Sequence, residues 1–137
     1  MWWIYALLSA FFAALTAIFA KAGIKNVDTD LATAIRTVVV LFLAWIIAFY
    51  RGGIGSIGML TKYNVLFLVL SGLATGLSWI FYFKALETGK ISQVAPIDKL
   101  SVALTILFAI VFLGESVTVK TLIGALFIIA GSIIIIL

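Results

Sequence analysis

The sequence predicts an all-α integral membrane protein with five transmembrane helices. Three observations carry this. The 137 residues are 66% hydrophobic and only 10% charged, whereas soluble domains run at about 25% charged. The mean hydropathy is +1.36. The apolar residues also fall into five runs, about 2–22, 31–50, 64–86, 92–113 and 118–137. Each run is of the length that carries a helix across a bilayer's hydrocarbon layer. No stretch is left for a separate soluble domain.

The net charge of +4 does not indicate nucleic-acid binding, because the basic residues are scattered near span ends. There they report topology and contact with lipid headgroups. Cysteine and histidine are both absent. That removes disulfides, thiol nucleophiles, zinc sites of the usual kind and a histidine pH switch. No metal or cofactor is expected. No nucleophile and base constellation is present, so an enzyme is not expected either. The N-terminus lacks a basic leader, and the first run is too long for the apolar core of a signal peptide. The first helix is therefore expected to stay in the mature protein.

In the first run, Trp2, Trp3 and Tyr5 suit an aromatic belt at headgroup level. Ser9, Ala13, Thr16 and Ala20 share one face and form a small-residue strip that lets another helix approach. The connection KNVDTD then offers Asp28 or Asp30 as a cap for the second helix. In the second run, Arg36 lies about 7.5 Å along the axis from Leu31. Two readings compete. Its long side chain snorkels to the interface, or it faces inward and needs a partner, for which Asp98 is the anionic candidate. The glycines of Arg51–Asn64 lack the GK[ST] of a phosphate loop, so this connection is read as interfacial, with a short amphipathic piece at Ile57–Leu60.

The third run carries the longest polar stripe: Ser71, Thr75, Ser78 and Tyr82 recur at steps of four, three and four. Gly72 and Gly76 lie on the neighbouring face and permit close helix contact. Trp79 sits beside both, near mid-span, where it either packs or stacks on a cation. Ser78, Trp79 and Tyr82 are read as cavity lining, against ordinary core. Lys84 is read as snorkelling.

The fourth run is the most informative. Ser92 is the expected cap. Pro96 follows too late to be harmless, so it removes a helical hydrogen bond and bends the span. Asp98 and Lys99 lie inside the run, and an ionisable residue there marks a working site by default. Asp98, Ser101 and Thr105 share a face. Lys99 lies about 100° around the axis from Asp98 and is not expected to point the same way. The plainer reading leaves Asp98 and Lys99 merely interfacial. Gly114 and Glu115 close this helix, and Thr118 or Ser116 caps the last one. Gly124 and Gly131 are seven apart, flanked by Ala125 and Ser132. This is a pattern for helix pairing, so the last helix is assigned to subunit contact rather than to a cavity.

Five spans place the termini on opposite sides. Lys21, Lys25, Lys84 and Lys90 lie on one side, and Arg51, Lys62 and Lys120 on the other. The positive-inside rule then favours an external N-terminus and a cytoplasmic C-terminus.

FYFKAL, the SQVAP turn, the LGE of Leu113–Glu115 and the LIGALFIIAG of the last helix together carry a family likeness. The chain closely resembles one EamA repeat of the drug/metabolite transporter superfamily, over essentially its whole length. The resemblance implies a multi-pass cell-membrane transporter. Two five-helix repeats of inverted topology would enclose a central cavity for a small-molecule substrate. A single repeat would pair as an antiparallel homodimer, as in the related small multidrug resistance exporters. The third and fourth helices would line the cavity through Ser78, Trp79, Tyr82, Pro96 and Asp98. Those exporters rely on a Glu in their first helix, and no acid lies in the first helix here. Any proton coupling would therefore fall to Asp98. The expected function is export or exchange of an amino acid or other small polar or cationic metabolite by alternating access. Asp98, Lys99, Arg36, Ser78, Trp79, Tyr82, Thr75 and Ser101 would handle substrate or coupling ion, with Gly124 and Gly131 at the dimer interface. The alternative is a non-transporting assembly subunit or lipid-flippase component.

Overall fold

The computed structural model describes all 137 residues and contains no strand. Six α-helices follow in order: α1 (Trp2–Gly23), α2 (Thr29–Tyr50), α3 (Lys62–Thr88), α4 (Ile91–Asp98), α5 (Leu100–Leu113) and α6 (Val119–Ile136). A 3-10 helix, Gly53–Met59, joins α2 to α3. The pieces α4 and α5 make one span, Ile91–Leu113, so five helices are long and apolar enough to cross a membrane. The chain divides into two compact units, residues 19–87 and residues 1–18 with 88–137.

In the first of these units, Asp28 caps α2. Its carboxylate accepts from the N–H groups of Asp30 (3.0 Å) and Leu31 (2.9 Å). Those are donors that a helix start leaves without partners. Asn26 before it takes a positive φ of 62°, a conformation that asparagine tolerates better than most residues. At the far end of α2, Gly52 (φ 73°) reverses the chain. The 3-10 helix then packs on α2, and Ile54 and Ile57 line a groove with Leu41, Ala44, Trp45 and Ala48. The 3-10 helix, Gly53–Met59, overlaps the short piece expected at Ile57–Leu60 but starts earlier and stops before Leu60. The last turn of α3 is tied down from α1: the Lys21 ammonium donates to the Leu86 carbonyl, one of the acceptors a helix end leaves open. Leu86 (0% exposed) and Phe83 (2%) are the most deeply buried residues in the chain.

In the other unit, α4 and α5 both pack on α6. The helix α4 begins one residue earlier than Ser92 suggested, with Lys90 at its cap position. Lys90 gives no side-chain bond, so Ser92 lies in the first turn instead of capping it. The span breaks at Lys99. There the Lys99 N–H turns to the Pro96 carbonyl (3.1 Å), and the Val102 N–H to the Lys99 carbonyl (3.0 Å). Both are three-residue bonds that tighten the turn. Gly114 ends α5 in the left-handed region at φ 66°, and Thr118 caps α6 by accepting from the Thr121 N–H (3.3 Å).

Buried apolar residues are few: Ala17, Ile24, Phe83, Leu86, Val94 and Ala125. For a membrane helix this is no defect, since lipid tails are as apolar as the side chains they meet. The small-residue strip on α1 is covered only in part. Ala17 is buried, Thr16 and Ala20 are half-buried, and Ser9 and Ala13 are exposed.

The caps give two checks. Gly114→Ala forces a Cβ into left-handed backbone and should lower stability by about 1 kcal/mol. Asp28→Ala should do so by a similar amount, ~1 kcal/mol, through the lost cap. Thermal unfolding of the detergent-solubilised protein measures both, with the exposed Ser56→Ala as a control expected to change nothing.

Candidate functional site

Arg36 occupies the eighth position of α2, and its guanidinium lies over the Trp79 ring of α3, 4.1 Å from the centroid. The Phe83 ring is 5.5 Å away. Trp79 and Phe83 are one helical turn apart, so together they form a two-ring platform along α3. A planar cation over an indole face is the preferred cation–π pair. This settles what Trp79 stacks on: the cation is supplied by the protein itself. Asp98 was the expected partner for Arg36; the partners in its own unit are rings.

Asp98 and Lys99 form an ion pair at the break of the fourth span, with Nζ–Oδ2 at 3.3 Å. Consecutive residues on a straight helix would diverge by about 100°. The break at Lys99 and the reach of its side chain bring them together, which overturns the expectation that they point apart. The Lys99 side chain is 56% exposed and that of Asp98 37%. Beside them, the Ser132 hydroxyl of α6 donates to the Pro96 carbonyl at 2.9 Å. The carbonyl next to the break is thus occupied by α6 instead of opening to a cavity. The helix assigned to subunit contact alone therefore has two faces. Ala125 and Ser132 are buried against its own unit, while a Cβ at Gly124 or Gly131 would meet nothing within 4 Å.

The remaining candidates separate by exposure. Tyr82 and Trp79 are half-buried, whereas Thr75, Ser78 and Ser101 are exposed. The Thr75 hydroxyl donates to the Ser71 carbonyl (2.9 Å) and the Thr105 hydroxyl to the Ser101 carbonyl (2.8 Å). Such back-bonding satisfies a hydroxyl inside lipid, so part of the polar stripe is explained by the helix's own needs. Gly72 and Gly76 likewise have open space where a Cβ would stand, and no helix packs closely on them. Sequence reasoning missed a cavity of about 630 Å³ in the unit of residues 19–87, lined by Lys21, Lys25, Asn26, Asp28 and Glu87 among others. The polar connection after α1 was the available signal.

The EamA-like transporter family matches residues 1–137, the whole chain. The chain belongs to that family. It is also 46% identical over 133 residues to an uncharacterized transporter in the cobO 3' region of a Sinorhizobium species, covering 97% of this chain and 94% of that relative. No solved structure matches. The EamA-like identity and five helices of spanning length make this a membrane transporter of the drug/metabolite type.

The α4–α6 contact is open to test. Ser132→Ala removes the donor on the Pro96 carbonyl and should lower thermal stability by about 1 kcal/mol. Gly131→Ala, one residue away on the open face, should leave the monomer's stability unchanged.

Proposed function

We propose that this EamA-like chain is a small secondary transporter that exports or exchanges an amino acid or other small polar metabolite by alternating access. The observation that carries the reading is the Asp98 carboxylate. It stands at the eighth residue of a 23-residue span, Ile91–Leu113, partly exposed and held by one 3.3 Å contact to Lys99. A carboxylate at that depth is retained for what it handles. A single exposed contact is weak, so exchanging Lys99 for a proton or a substrate ammonium needs little energy. Partner exchange of this kind lets a ligand bias two orientations differently, as a transport cycle requires.

Two copies are needed on this reading. The hydroxyls of Ser78 and Ser101 are exposed in a single copy, and lipid offers them no partner. Antiparallel pairing would enclose them, and the open Gly124–Gly131 strip suits such close helix contact. The site of action is the cell membrane. A non-transporting subunit would use the same strip to dock another protein, and would show association without flux.

In proteoliposomes loaded with mixed amino acids, Asp98→Asn should reduce counterflow at least tenfold while leaving helix content and elution volume unchanged. Undiminished flux would remove Asp98 from the mechanism. Gly124→Leu with Gly131→Leu should convert the dimer to monomer in cross-linking and light scattering. A dimer that survives places the interface elsewhere.

A further inference from the structure

We propose that Arg36, laid against the Trp79 and Phe83 rings, is a carboxylate-binding site that takes the anionic end of the substrate. The proposal rests on the transporter reading and adds to it the chemical group recognised.

Depth argues first. Arg36 is the eighth residue of α2, so its backbone lies about 10 Å inside that helix's start. Trp79 is nine residues before the end of α3, about 13 Å inside, and Phe83 is five residues before it, about 7 Å inside. The guanidinium is closer to Trp79 (4.1 Å) than to Phe83 (5.5 Å). The charged head therefore rests beside the deeper of the two rings along α3, whereas a snorkelling arginine reaches away from the span toward the headgroups.

Charge argues second. The carboxylates of the same unit are Asp28, Asp30 and Glu87. Asp28 is engaged in capping α2, and none of the three forms an ion pair with Arg36. The rings attract the guanidinium through their π faces but carry no opposite charge. A cation held within a span still lacks its counter-charge, and a ligand can bring it.

Geometry argues third. The ring contacts draw on the guanidinium's charge and do not use its N–H donors. Two parallel N–H donors match the two oxygens of a carboxylate. The nearby threonines do not compete for that carboxylate as donors. Thr33 donates to the Thr29 carbonyl and Thr37 to the Thr33 carbonyl, both at 2.8 Å. One guanidinium balances one negative charge, which suits a monocarboxylate better than a phosphate dianion. The substrate class is thus a small monocarboxylate, amino acids included, and not a simple amine.

Alanine, leucine and phenylalanine, each beside its carboxamide and its decarboxylated amine, are tested for thermal stabilisation of the purified full-length protein, since a ligand that binds the folded form raises its stability. At least one acid should stabilise, with its amide and amine requiring at least tenfold higher concentration. Arg36→Gln should erase that preference. Arg36→Lys, which keeps the charge without the fork, should weaken it severalfold, and Trp79→Leu should also weaken it. Equal stabilisation by amide or amine, no stabilisation by any acid, stronger stabilisation by inorganic phosphate, or a preference surviving in Arg36→Gln would each overturn the site. The wild-type comparison decides even if a variant does not fold. Counterflow in proteoliposomes separates the two claims. Flux of amines without preference for acids rejects the carboxylate site and leaves the transporter. Acid binding without flux rejects the transporter and leaves the site.

Discussion

A polar group held in hydrocarbon has no water to turn to, and it must be satisfied by the protein that carries it. Most of the specific contacts here follow from that constraint. Threonines in α2, α3 and α5 return their hydroxyls to carbonyls one turn back. The Leu86 carbonyl at the end of α3 receives the Lys21 ammonium. The Pro96 carbonyl beside the break in the fourth span receives the Ser132 hydroxyl. Once these are subtracted, Asp98 and Arg36 stand out among the polar groups that remain within the spans.

Two charged positions are left, one in each compact unit, and they are built on opposite plans. Asp98 is held loosely by the lysine next to it, where the helix has come apart. Such a pair can exchange partners. Arg36 is braced by rings that hold its plane without neutralising it. Such a group keeps its charge for something else. An amino acid carries both an ammonium and a carboxylate, and each plan suits one of these groups.

The sparse burial of the chain has the same origin. Apolar side chains gain nothing by leaving lipid for a protein core, so the helices need only small-residue contacts and a handful of hydrogen bonds to hold their places. Glycine strips on α3 and α6 remain open, which leaves room for close helix contact there.

The sequence by itself determined the membrane class, the number of spans, most of the caps and the family. Those depend on hydropathy length, on cap chemistry and on motifs, all of them local in the chain. Asp98, Arg36 and Trp79 could be singled out for the same reason, because a charge or an indole inside a span is visible without a structure. Their partners were not visible. Lys99 meets Asp98 through the local tightening at Lys99 and the reach of its own side chain, whereas helical periodicity continued straight through that point. Ser132 reaches Pro96 across 36 positions, and Arg36 reaches Trp79 across 43 (79 − 36). Contacts of that range are decided by which helix faces come together, and one sequence read alone records the faces but not their pairing.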